Sequence, residues 1–302
     1  MEIAHGKKRV NSTYVLSGRG EEILKAIHFY RYMTLLDVTY LLYSPKSLNY
    51  VGSMLSALCG NADFKTNEYL YRFKLPSGGG NTKRIYTLGS RGRDFLASEV
   101  GLPVSWYYRP EKVRHMSYGQ MMHNLVLTRF LVAASAWARR SGEFKIAEMR
   151  TCYELDIGVA KVVPDAWILF EKVGKSPAPG GSRGNMFPVL LEIDRGTEYK
   201  RKFKEHVAGR IEFIKSGAYE KIFGTKAVII AYVTTAESSE GGEVRRRSMC
   251  SWTQEVLKEQ RKESWASVFH FMSCMLDDMY TSGKLDGKVW YRPDSDTPTG
   301  LF

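Results

Sequence analysis

Two short aromatic runs with alternating polarity, residues 69–75 (YLYRFKL) and 83–88 (KRIYTL), are separated by Pro-Ser-Gly-Gly-Gly-Asn-Thr. A period of two with aromatic and β-branched residues suits a half-buried strand, and the intervening glycines punctuate rather than pack. Together they predict a hairpin whose tip projects from whatever its strands rest on. Arg72, Lys74, Lys83 and Arg84 flank that tip.

Three helical segments precede the hairpin. Residues 21–32 carry Ile23, Leu24 and Ile27 at helical spacing, and residues 35–43 carry Leu35, Val38 and Leu41 after only Met33 and Thr34. Ser44-Pro45-Lys46 breaks the second helix, and Ser47 suits the N-cap of the third. Leu48, Val51, Leu55 and Leu58 then form one apolar stripe, closed by Cys59-Gly60-Asn61. Asn49, Tyr50, Ser53, Met54 and Ala57 fall on the other side of this helix. A helical trio followed by a basic hairpin has the order of a winged helix-turn-helix. Asn49 suits an adenine edge and Ser53 a base or a phosphate, while Tyr50 lies beside them. The four basic residues of the wing would supply phosphate contacts and most of the affinity for double-stranded DNA. A winged helix that binds protein is the alternative. Residues 86–96 (YTLGSRGRDFL) open a fourth helix and are similar to the run that closes many bacterial winged-helix domains.

Charge points the same way. The chain has a net charge of +12, and residues 1–110 hold 15 of its 44 Lys/Arg but only 8 of its 32 Asp/Glu. An excess this concentrated draws polyanions, because each neutralised phosphate releases counterions. Cys59, Cys152, Cys250 and Cys274 form no CxxC pair, which argues against a zinc ribbon or a disulfide framework. The first ten residues lack an apolar signal region, and the longest apolar stretch, 125–138, is interrupted by Arg129. The expected location is cytoplasmic, associated with nucleoid or plasmid and away from membrane.

At 302 residues the chain has room for a second core. Residues 1–19 read as an arm, 20–101 as the winged-helix domain, and 102–115 as a connector. A mixed α/β domain occupies 116–235, and 236–302 forms a helical extension and tail, beginning with a Gly/Glu-rich linker over 236–243. In the α/β domain a long helix spans 117–140, and strands are expected at 144–149, 152–155, 162–170, 187–194 and 225–234. A basic helix covers 197–215. The loop 172–185 is rich in Gly, Pro and Ser. Antiparallel pairing across that loop brings Asp165 near Glu192 and Asp194, the last two on one face because they are two residues apart. Such carboxylates repel unless a divalent cation or basic side chains neutralise them. Arg195, Lys200 and Lys204 lie close in sequence, and an inert Asp194–Arg195 ion pair is the other reading.

Pro164-Asp165-Ala166 followed at an interval by residues 191–198 (LEIDRGTE), together with 122–128 (MHNLVLT), resembles the replication-relaxation family of plasmid and mobile-element proteins. The resemblance covers about residues 18–235. It implies an α+β chain in which the winged helix is followed by a domain resembling the PD-(D/E)xK nuclease fold. Asp165 then stands at the first carboxylate of the nuclease motif and Glu192 at the second, while Asp194 occupies the lysine position. Lys200 or Lys204 would have to replace that lysine, which orients water and stabilises charge on the phosphate.

Three functions remain open from sequence. The first is a DNA-binding protein of a mobile element, acting in replication or DNA relaxation with an inactive nuclease-like scaffold, and needing no cofactor. The second is a Mg²⁺- or Mn²⁺-dependent nickase with Asp165 and Glu192 as metal ligands and Asp194, Lys200 and Lys204 in the catalytic set. The third is a transcriptional regulator of its own element. A homodimer and other replication or transfer proteins are the further partners considered. No nucleophile elbow, HExxH, Walker or dinucleotide fingerprint appears.

Overall fold

The computed structural model describes residues 16, 18–60, 68–74, 84–104, 116–152, 163–174, 185–236, 238–280, 284–285 and 287–302. Lys83, the triple-glycine tip, Asn61, residues 153–155, and most of the arm, connector and 172–185 loop lie outside them. The chain divides into two compact units, Met1–Tyr118 and Gly119–Phe302.

In the first unit α1 (Gly18–Tyr30), β1 (Met33–Thr34), α2 (Leu35–Leu42) and α3 (Leu48–Cys59) precede β2 (Leu70–Lys74), β3 (Arg84–Leu88) and α4 (Ser90–Ser98). The predicted stripes form the core: Ile23, Leu24, Ile27, Val38, Val51, Leu55 and Leu58 are all fully buried. Met33 and Thr34 are not a bare linker. Arg31 turns the chain at φ +68°, and the pair then adds to β3 (Met33↔Tyr86, Thr34↔Ile85), giving the sheet order β1-β3-β2. Thr34 also caps α2. Its Oγ1 accepts from the Asp37 N–H at 3.3 Å, and its own N–H donates to Asp37 Oδ2 at 2.6 Å. Ser47 makes no side-chain cap on α3, because it ends a 3-10 turn over Pro45–Ser47 and its φ/ψ of −89°/12° is not an N-cap conformation.

The glycines after β3 have a steric cause. The N–H groups of Gly89 and Arg91 donate to the carbonyls of Tyr69 (2.9 Å) and Glu68 (3.1 Å), pulling the start of α4 onto β2. A Cβ on Gly89 would collide with the Glu68 carbonyl oxygen, and one on Gly92 with that of Tyr69.

The second unit takes in α5 (Tyr118–Ser141) from its second residue onward and contains β4 (Phe144–Thr151), β5 (Ala166–Lys172), β6 (Met186–Asp194), α6 (Lys200–Lys215), α7 (Ala218–Phe223), β7 (Ile229–Thr234), α8 (Ser239–Glu259), β8 (Phe269–Ser273), β9 (Trp290–Arg292) and β10 (Ser295–Thr299). Its seven strands run in the order β10-β9-β8-β7-β6-β5-β4, parallel at β6-β7-β8 and antiparallel elsewhere. Trp167, Leu190, Tyr232 and Phe271 turn to one side and pack with α6, α7 and α8. The alternate residues face α5, whose Trp137 meets Phe170.

The C-terminal residues differ from the expected extension. Residues 238–243 open α8 where a linker was expected, since Ser238 caps the helix through the Gly241 N–H. A strand, β8, replaces the end of the expected helical run, and residues 290–299 pair as β9 and β10 instead of trailing as a tail. All belong to the same sheet. Among the described residues no helix is long and apolar enough to cross a membrane.

Candidate functional site

The sheet itself assembles the carboxylates. Ala166 pairs with Leu191, so Asp165 falls beside Glu192 just before β5 begins. Its Oδ2 accepts from the Ile193 N–H at 2.7 Å. Glu192 and Asp194 lie two residues apart on β6, opposite Tyr232 and Thr234 of the parallel neighbour β7. A cleft of about 450 Å³ opens there, lined by His123, Asp165, Glu192, Asp194, Arg195 and Arg210 among others.

Each carboxylate has its own basic partner. His123 Nε2, from α5, is 2.9 Å from Asp165 Oδ1. The Arg210 guanidinium, fully buried on α6, contacts Glu192 and donates to the Val163 carbonyl at 3.1 Å. Arg245 on α8 holds Asp194 with two bonds of 2.9 and 2.8 Å, the forked geometry guanidinium favours. Asp194 also accepts from the Thr234 hydroxyl and the Gly196 N–H, both at 3.0 Å, and Gly196 at φ +73° makes that tight turn. Asp194 therefore pairs with Arg245, not with Arg195. The Arg195 side chain donates instead to the Gly119 carbonyl at 2.5 Å.

Lys200 and Lys204 point elsewhere. Lying one turn apart on α6, both reach Glu255 of α8, at 2.7 and 3.3 Å, and Lys204 also reaches Glu259 at 2.6 Å. Neither lines the carboxylate cleft. Arg210 and Arg245, absent from the predicted set, supply the positive charge. A signal for Arg210 is present in the sequence: it shares the apolar stripe of Phe203, Val207 and Ile211, where a charge must find a buried partner.

The local field is unusual. Burial pushes the Glu192 carboxyl up to about 8, with Arg210 opposing and Asp165 adding to the rise. Burial works against the His123 imidazolium, yet the hydrogen bond and charge of Asp165 outweigh it and raise its pKa. Both Asp165 oxygens face protein donors, and the Arg210 guanidinium lies against Glu192. Among the described residues no three His, Cys, Asp or Glu side chains are arranged to hold a metal. Each of the three carboxyl groups thus has a basic side chain against it.

In the first unit, Asn49, Tyr50 and Ser53 lie exposed on α3, with Ser53 Oγ donating to the Asn49 carbonyl at 3.1 Å. Met54 is turned inward, where its sulfur meets the Tyr43 hydroxyl at 3.8 Å. On the hairpin, Lys74 pairs directly with Arg84, and Arg72 lies two residues before Lys74, so all three share a face. The charges of Arg72 and Arg84 act on buried Tyr86 on that face, and that of Arg72 also acts on Cys59 at the end of α3.

A family model described as replication-relaxation matches residues 62–229, more than half of the chain, from the approach to β2 as far as the start of β7. No curated protein and no solved structure matches it. The PDA and LEIDRGTE segments, which place Asp165, Glu192 and Asp194 at one cleft, both lie inside the matched span. The chain belongs to the replication-relaxation family.

Proposed function

We propose that this protein binds duplex DNA through a winged helix in its first unit, and that its second unit is a nuclease-like scaffold in the PD-(D/E)xK manner without cleavage activity. The observation that carries the first half is the shared face of Arg72, Lys74 and Arg84 on β2 and β3, coupled electrostatically to the end of α3. Three cations spaced along a two-stranded ribbon match a phosphate backbone, and the exposed Asn49, Tyr50 and Ser53 would face the bases or sugars. The order α1-β1-α2-α3-β2-β3, with β1 closing the sheet, supports the winged-helix reading. The family supports a role in replication or relaxation of DNA.

The scaffold half rests on the cation partners. A phosphodiesterase of this fold needs carboxylates open to a metal and a lysine beside them, whereas His123, Arg210 and Arg245 occupy the three carboxylates and Lys200 and Lys204 are held by Glu255 and Glu259. Two measurements test the reading. Replacing Arg72, Lys74 and Arg84 together by Ala is expected to weaken retardation of a duplex fragment at low salt, and undiminished retardation contradicts the wing. A supercoiled plasmid incubated with Mn²⁺ is expected to stay supercoiled. Nicking that vanishes in Glu192→Ala would instead establish a nuclease.

A further inference from the structure

Tyr199 is the most exposed large hydrophobic side chain among the described residues, at 85% of its free surface. It sits at the N-cap of α6 and makes no side-chain cap bond there. Arg201 and Lys202, which follow it, have side chains 92% and 62% exposed. Their acidic neighbours hold them weakly: Arg201 lies 3.7 Å from Glu205, and Lys202 lies 3.4 Å from Glu198. Ion pairs this exposed contribute little and are readily exchanged. The contrast within one helix is sharp, since Lys200 and Lys204 are drawn across to the acids of α8 and leave Arg201 and Lys202 facing solvent.

An aromatic ring standing free beside two loosely held cations has the composition of a stacking platform. Bases offer their faces to such a ring only when unpaired, because duplex stacking covers them, and the flanking phosphates need positive charge nearby. The two cations therefore select an anionic partner over an apolar one, and the exposed ring selects a strand with accessible bases over a duplex. We propose that the start of α6 is a contact for single-stranded DNA, with the Tyr199 ring stacked on a base and Arg201 and Lys202 holding adjacent phosphates. The site goes beyond the duplex grip of the first unit and uses none of its residues.

Anisotropy of labelled oligo(dT) against the full-length chain tests it, with a duplex of equal length measured in parallel. Tyr199→Ala is expected to weaken oligo(dT) binding roughly 5- to 150-fold, the range for loss of one base stack, while Tyr199→Phe stays within about twofold because stacking needs no hydroxyl. Arg201→Ala with Lys202→Ala is expected to weaken it too and to flatten its salt dependence. Duplex affinity should be unchanged in all three. The proposal is overturned if Tyr199→Ala leaves oligo(dT) affinity intact, or if single-strand and duplex binding fall together. The Arg72, Lys74 and Arg84 triple variant keeps the two readings apart: it should lose duplex and retain oligo(dT).

Discussion

Arg210 occupies a position where an amphipathic helix would ordinarily place a leucine, and its environment explains why it stays charged there. A guanidinium does not shed its proton, so Glu192 and the Val163 carbonyl must hold it. Removing the carboxylate in Glu192→Ala takes an acidic partner from that buried cation, and a loss of about 3 kcal/mol in urea-unfolding stability is expected. An unchanged midpoint would mean that water reaches the pair. The pH dependence follows from the same residues. Glu192, raised from 4.5 to about 8, contributes stability that is complete below its unfolded value and is lost as pH climbs through about 8. His123, also raised, contributes fully below 6.5 and loses that contribution above it. Stability measured by urea melts should thus decline from mildly acidic to mildly alkaline pH, less steeply in Glu192→Gln and His123→Gln. A rise over that window would contradict these environments. Asp165, Glu192 and Asp194 could be placed together from sequence because β-pairing fixes register. Their arginine partners could not, since Arg210 and Arg245 come from two helices whose contacts only the packed sheet defines.

Elements with a clear period were legible and those without one were not. The stripes of α1, α2 and α3 emerge because each spans at least two turns, while β1, at two residues, has no period to detect. Residues 269–273 (FHFMS) are equally ambiguous, for a five-residue segment with three apolar side chains fits a helix end as well as a strand. Pairing with β7 decides it. The start of α4 shows the converse, a short segment whose sequence records a contact. Gly92→Ala would thrust a methyl against the Tyr69 carbonyl, so a destabilisation of about 1–3 kcal/mol is expected by thermal or urea unfolding. Wild-type stability in that variant would mean that α4 can lift from β2 without cost.

For the whole molecule, the second unit cannot be shortened to the length suggested by its early strands. Ending the chain after residue 235 would remove β8 and expose the edge of β7. It would also delete Met249, Val256, Leu257, Phe269 and Phe271 from the core shared with α6 and α7. Such a truncation is expected to aggregate or to lose the cooperative unfolding of this unit; a soluble, cooperatively folded product would contradict the single-sheet arrangement. The first unit carries the interaction on which the proposed function depends. The most direct measurement is duplex affinity as a function of salt for the wild type and for the Arg72, Lys74 and Arg84 triple alanine variant. If each side chain neutralises one phosphate, the variant binds more weakly and its log–log slope becomes shallower by about 2.7. Equal affinity and an equal slope would mean that the ribbon does not touch DNA.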